Sequence, residues 1–201
     1  MADFPDRVEL PLRFDAGLLA ADLEALALTW TRHFVRANYE GEWSAFALRA
    51  PLGETHPIRL LNAGLHLREF TDCPALDATP YFRALLDQLH CPLRGVRLMR
   101  LAAGSTILEH TDPDLGIAEG FARLHVPIVT DSAVEFLLNR RPVTMLPGSL
   151  WYLRLSDPHS VANRGSRDRI HLVIDVEAND WLRDRLAEGA RSDLQANSAS
   201  A

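Results

Sequence analysis

From Arg94 onward the chain is cut into short alternating runs by Gly, Pro, Asn and Asp, and this punctuation limits the fold more than any other feature. The runs fall at 95–101, 105–111, 121–129, 133–138, 143–146, 149–155 and 169–176. No helical stretch separates them, so the pattern predicts an antiparallel sandwich or barrel rather than a parallel sheet with crossover helices. Upstream, 15–30 reads as an amphipathic helix: Asp15 can cap it, and Leu18, Leu19, Leu23, Leu26 and Trp30 recur at helical spacing. Trp43 to Leu48 alternates as a strand does. Thr79-Pro80 is a cap followed by proline at the first helical position, opening a helix through about Leu89. A last helix starts near Asn179 and holds Trp181, Leu182 and Leu186. The predicted fold is mainly β with flanking helices: N-terminal helices packed on an eight-stranded jelly roll whose core is about 94–177, in one domain over 1–190. The small polar stretch within 191–201 predicts a disordered tail.

A length of 201 residues is enough for one full core, since chains of this size bury roughly 70% of their unfolded surface. All 21 basic residues are arginine. Without lysine, Schiff-base catalysis, a pyridoxal-phosphate anchor and a phosphate-loop lysine are excluded. A guanidinium that forks onto carboxylates remains available. The net charge of -6 and the absence of basic runs argue against nucleic acid. No apolar stretch approaches the roughly 18 residues of a membrane helix, and the first residues lack the features of a signal peptide. Cys73 and Cys91 have no framework spacing, which predicts reduced thiols in a cytoplasmic protein.

The chemistry gathers on strand faces. His110 and Asp112 are i and i+2, hence on one side of a strand end, and Asp112-Pro113 turns the backbone there. His159 follows 47 residues later (159 − 112 = 47). Two imidazoles and one carboxylate leave three coordination positions open, the arrangement of non-haem iron(II) oxygenases. Arg169 lies ten residues past His159 (169 − 159 = 10) and opens a strand with Ile170, Leu172, Ile174 and Val176 on one face. Arg169, His171 and Asp175 take the other face, where a solvent-facing strand would also put them. Arg123 and His125 repeat the Arg-x-His pattern.

Several stretches then match a known family in order. They are Arg97-Leu98-Met99-Arg100-Leu101, the run from Gly104 to Asp112, Arg123-Leu124-His125-Val126-Pro127, Gly148-Ser149-Leu150-Trp151-Tyr152, His159-Ser160-Val161-Ala162-Asn163 and Arg169 to Asp175. The span from about Thr71 to Val176 resembles the aspartyl/asparaginyl β-hydroxylase family of Fe(II)/2-oxoglutarate-dependent oxygenases. It is especially similar to the bacterial branch that includes the L-proline cis-4-hydroxylases. The resemblance implies a double-stranded β-helix, with His110, Asp112 and His159 as iron ligands and Arg169 on the distal carboxylate of 2-oxoglutarate. It implies a second cosubstrate contact at His125 and a substrate-carboxylate contact at Arg123. Asp112 sides the chain with the bacterial three-ligand members. The implied activity is a dioxygenase that hydroxylates an unactivated C–H with O2, giving succinate and CO2.

The substrate is expected to carry an anionic group, facing Arg123 and Arg100, and to be an amino acid or an Asp/Asn-like residue in a small molecule or peptide. Trp43 and Trp151 are candidates for a pocket wall, with plain core packing as the alternative. His171 is either a neighbour of the cosubstrate site or a core histidine. Pro147-Gly148-Ser149 reads as a turn whose glycine permits positive φ. His33, His56 and His66 have no spacing that argues for a role. Two rivals share the fold: a non-catalytic cupin-like protein holding a metal or small acid, and a metal-dependent isomerase or dioxygenase that needs no 2-oxoglutarate.

Overall fold

A computed structural model describes residues 4–61, 69–113 and 115–199, with side chains through Ser192. His66 lies outside the described residues. In chain order the elements are β1 (Arg7–Arg13), α1 (Ala16–Ala25), β2 (Thr31–Arg32), β3 (Tyr39–Glu40), β4 (Trp43–Pro51), α2 (Pro57–Leu60), β5 (Phe70–Asp72) and α3 (Pro80–Leu86). There follow β6 (Leu93–Leu101), β7 (Thr106–His110), β8 (Phe121–Val129), β9 (Val134–Leu138), β10 (Arg141–Pro142), β11 (Ser149–Leu153), β12 (His159–Asn163), β13 (Arg169–Glu177) and α4 (Asp180–Ala199).

The strands make two antiparallel sheets, a jelly roll. The larger runs β1-β11-β8-β13-β6-β4-β2 with β5 added to β4, and the smaller runs β10-β9-β12-β7-β3. The larger sheet is buried on both faces, which decides where the site lies. Its outer face, with Leu98, Leu124, Leu172 and Ile174, packs with Leu19 of α1, Phe82 and Leu85 of α3 and Leu182 and Leu186 of α4. Its inner face meets the smaller sheet through Trp43, Met99, Leu101 and Val173 against Ile107, Phe136, Leu138 and Val161. The polar face of β13 therefore points into the barrel: Arg169, His171 and Asp175 are 3%, 1% and 0% exposed.

Several local expectations are corrected. The first helix stops at Ala25, with Leu26 extended, because the chain must reach β2 and pair with β4. Asp15 does cap it, accepting from the Leu18 N–H at 2.9 Å. Thr79 does not cap α3; its hydroxyl donates backward to the carbonyls of Ala75 and Leu76. The strand predicted at 143–146 lies instead at Arg141–Pro142. Asn139 and Arg140 both take left-handed φ (51° and 57°), a two-residue turn that brings Arg141 straight back onto Leu138. Arg7–Arg13, not anticipated as a strand, pairs with β11 at the edge of the larger sheet. The last helix continues to Ala199, through most of the stretch read as a tail. Gly148 has φ +78°, and a Cβ there would stand 2.1 Å from the Phe14 carbonyl oxygen, so the turn and the close approach both require glycine. Both cysteines are free thiols. Among the described residues no helix is long and apolar enough to cross a membrane.

Candidate active site

β7 and β12 are antiparallel neighbours in the smaller sheet, and their register sets His110 directly opposite His159. The two imidazole centroids are 4.3 Å apart. Asp112 follows β7, its N–H donating to the Leu155 carbonyl at 2.8 Å, so the turn that carries it is tied to the chain leaving β11. One ligand atom from each of His110, Asp112 and His159 lies within 4.8 Å of the others. The Nδ1 of His110 lies 2.7 Å from the Leu108 carbonyl oxygen, and that of His159 3.0 Å from the Asp157 carbonyl oxygen. A carbonyl only accepts, so each Nδ1 carries the proton and each Nε2 presents a lone pair. Burial holds the His159 pKa below the usual histidine value, which keeps the ring neutral as a ligand must be.

The three side chains open on a cavity lined also by Trp43, Met99, Arg123, His125, Phe136 and Arg169. Arg123 is already engaged. Its Nη1 donates to Asp112 Oδ2 at 2.7 Å, and its Nε and Nη2 donate to the two oxygens of Asp175 at 2.7 and 3.3 Å. Arg97 completes the group, 2.8 Å from Asp175 Oδ2. Burial would raise the Asp175 pKa, but the two guanidinium groups outweigh it and hold the carboxyl below its ordinary value.

Arg169 is different. Its Nη2 donates to His171 Nδ1 at 2.8 Å, and its Nε is buried with no partner among the described residues. Among the described residues it is paired with no carboxylate, and burial pushes its pKa down to about 9. His125, beside it, is 5% exposed with both ring nitrogens unpartnered among the described residues. Burial, with Arg169 and Arg123 nearby, drives the His125 pKa well below the usual value. A buried cation and an imidazole, both with open hydrogen-bonding positions and facing the His110/Asp112/His159 cluster, fit a carboxylate-bearing ligand that could also reach a metal held there. The donor set of two imidazoles and one carboxylate fits iron(II).

Trp43 is a wall of this cavity, 6.1 Å from the His110 ring between centroids. It stacks on His33 at 3.6 Å and 13°, and its Nε1 is buried without a partner among the described residues. His33, to which no sequence spacing pointed, is thus part of the site's support, and burial lowers its pKa to about 4. Phe136 and Arg97 were also missed. Both sit at inward alternation positions, Arg97 two residues before Met99, which was the available signal. Two predicted residues stay outside the cavity lining. Arg100 is held by Asp168 and Glu42 at 2.5 and 2.7 Å, beside Trp30. Trp151 is half-buried and donates from Nε1 to Ser149 Oγ.

Comparison with known proteins gives the fold and the family. A curated L-proline cis-4-hydroxylase of Rhizobium meliloti (strain 1021) is 28% identical over 169 residues, 83% of this chain. The chain spans 59% of that relative's length. Among solved structures, an oxidoreductase of the 2OG-Fe(II) oxygenase family from Burkholderia pseudomallei superposes with a TM-score of 0.56 at 16% identity, over 87% of this chain and 88% of that one. A Pseudomonas putida prolyl-4-hydroxylase gives 0.50 at 13% identity, over 87% and 93%. Both likenesses are of fold. The family model for aspartyl/asparaginyl β-hydroxylase matches residues 19–179. That match takes in His110, Asp112, Arg123, His125, His159 and Arg169, and the chain belongs to the aspartyl/asparaginyl β-hydroxylase family.

Proposed function

We propose that this chain is an Fe(II)- and 2-oxoglutarate-dependent hydroxylase acting on an amino acid, free or within a small molecule or peptide. One observation carries the reading: a His110/Asp112/His159 cluster within 4.8 Å shares its cavity with Arg169, a buried cation that is paired with no carboxylate among the described residues. A structural arginine at this depth has a counter-ion, as Arg97 and Arg123 do.

Iron and 2-oxoglutarate, when bound, supply the oxidation of an unactivated C–H by O2, with succinate and CO2 as co-products. The chain's own part is position, charge and dryness. His110 and His159 present Nε2 to the metal because their Nδ1–H groups are tied to backbone carbonyls. Asp112 offers Oδ1 while Arg123 holds Oδ2. Arg169 would hold the distal carboxylate of the cosubstrate, and His125 would make a second contact to it. Met99, Ile107, Phe136, Leu155 and Val161 exclude water from the cavity, and Trp43 walls the substrate side.

The substrate's anionic group would meet Arg123, which keeps two N–H groups beyond the three it uses on Asp112 and Asp175. The amino-acid class is supported by the relative named as a proline hydroxylase. An Asp/Asn-like residue remains within the proposal on charge alone. Two free thiols support a reducing, cytoplasmic setting.

The test is a panel of free amino acids and short peptides incubated with Fe(II), 2-oxoglutarate and O2. The expected result is a mass gain of one oxygen atom in one class, matched by an equal yield of succinate. A protein that never converts 2-oxoglutarate, with or without any panel member, contradicts the reading.

A further inference from the structure

Two kinds of buried arginine face the barrel interior. Arg97 and Arg123 share Asp175, which is fully buried and lies within 2.8 Å of each. Arg169 stands on the same strand as Asp175 and on the same alternating face, yet its hydrogen-bond partner is His171. A guanidinium has no lone pair to offer, so His171 Nδ1 is the acceptor and its proton sits on Nε2. The ring is therefore neutral. Burial and the adjacent guanidinium favour the same state, holding the His171 pKa well below the ordinary value. His171 is 1% exposed and is not among the residues that line the cavity.

We infer that His171 is a positioning residue for the cosubstrate: it orients the Arg169 guanidinium through a neutral acceptor, so that the full cationic charge stays available to the distal carboxylate of 2-oxoglutarate. The inference rests on the reading of Arg169 given under the proposed function. Two alternatives at position 171 show why an imidazole suits the task. An aspartate would orient the guanidinium equally well and would stabilise the free protein by neutralising a buried charge. It would also set a carboxylate against the incoming carboxylate, and the ligand would have to compete with it. A leucine would leave an N–H without an acceptor and the fork free to turn. The neutral acceptor fixes geometry without removing charge. The free protein then carries an uncompensated cation that ligand binding relieves.

The pair His171→Asn and His171→Asp tests this, because the two side chains share a shape, place an oxygen near the Nδ1 position and differ in charge. Affinity for 2-oxoglutarate is measured by titration calorimetry on the Mn(II)-loaded protein, alongside the melting temperature of the metal-free, ligand-free form. The expected result for Asn is affinity within about threefold of the parent, and for Asp a loss of about 100-fold, the upper end for groups that support a binding residue. Asp should at the same time melt higher than Asn without ligand. A merely structural histidine would move stability and affinity together, so the opposite signs are diagnostic. Turnover should follow as a rise in KM for 2-oxoglutarate with kcat little changed.

Equal affinities for Asn and Asp would overturn the inference, as would a loss in Asn as large as in Asp. Arg169→Leu separates this from the underlying reading. If that variant binds 2-oxoglutarate as the parent does, Arg169 is not the anchor and both fall. If it loses binding while His171→Asp keeps it, only the role of His171 falls.

Discussion

Asp175, fully buried on β13, accepts two hydrogen bonds from Arg123 on the neighbouring strand β8, at 2.7 and 3.3 Å. That contact fixes what Arg123 can do next. Its remaining terminal nitrogen reaches Asp112 Oδ2, while Asp112 Oδ1 lies 3.9 Å from His110 Nε2. The two oxygens of the proposed ligand are thereby sorted, one to an arginine and one toward the metal position. Asp175→Asn takes the carboxylate from Arg97 and leaves Arg123 with Asp112 alone. Breaking a buried pair from one side costs about 3–5 kcal/mol. Urea denaturation of the metal-free protein should show a loss of that size, and a loss below about 1 kcal/mol would mean the network is not held as described.

Removing ligands should separate from removing their support. His110→Ala and His159→Ala each delete a donor, and Co(II) titrated into either variant should fail to reach one equivalent at concentrations that saturate the parent. Arg123→Lys keeps a cation but cannot bridge two carboxylates, and should weaken Co(II) about 10- to 100-fold without abolishing it. Metal stoichiometry by elemental analysis checks the first claim, and the binding isotherm checks the second.

His33 predicts a dependence on pH with a definite sign. Burial lowers its pKa in the folded protein to about 4 from an ordinary value of 6.5. Between those limits the unfolded chain binds a proton that the folded chain does not. Stability from this group is therefore complete above pH 6.5 and declines as pH falls toward 4. His125, His159 and His171 are lowered in the same direction, so their contributions add. His33→Phe, which keeps a ring against Trp43, should flatten part of that acid slope in denaturation curves taken across the window. An NMR titration of His33 near its ordinary value would contradict the assignment.

Trp43→Ala should damage substrate use more than metal binding. The ring walls the cavity and stacks on His33, so truncation opens a void beside the site. A loss of about 3–5 kcal/mol of stability is expected, with Co(II) affinity close to that of the parent. A variant that loses metal as completely as His110→Ala would assign Trp43 to the metal centre instead.

Much of this site is legible in the sequence alone, because strand alternation is a local rule. Placing Arg169, His171 and Asp175 on one face of β13 and Ile170, Leu172 and Ile174 on the other needs only a period of two. Which face meets solvent does not follow from that period. Here α1, α3 and α4 cover the apolar face, so the polar one turns inward and becomes the chemistry. The same limit hid a further task of Arg123, which bridges Asp112 and Asp175 besides keeping two N–H groups for the proposed substrate contact. The two residues it joins are 63 positions apart (175 − 112 = 63), and pairing of that range is set by sheet order. His33 was unreadable for a related reason: its stack on Trp43 exists because β2 leaves α1 early to pair with β4. The expected hairpin strand at 143–146 failed on a turn, since Asn139-Arg140 carries no glycine to announce left-handed backbone.

The central claim is that His110, Asp112 and His159 hold a metal within reach of a ligand anchored on Arg169. Its most direct test is the visible absorption of the protein mixed anaerobically with Fe(II) and 2-oxoglutarate. The account predicts a weak chelate band in the parent, absent from Arg169→Leu although that variant still binds the metal. A parent protein that binds Fe(II) and shows no band, or a band that survives in Arg169→Leu unchanged, would contradict it.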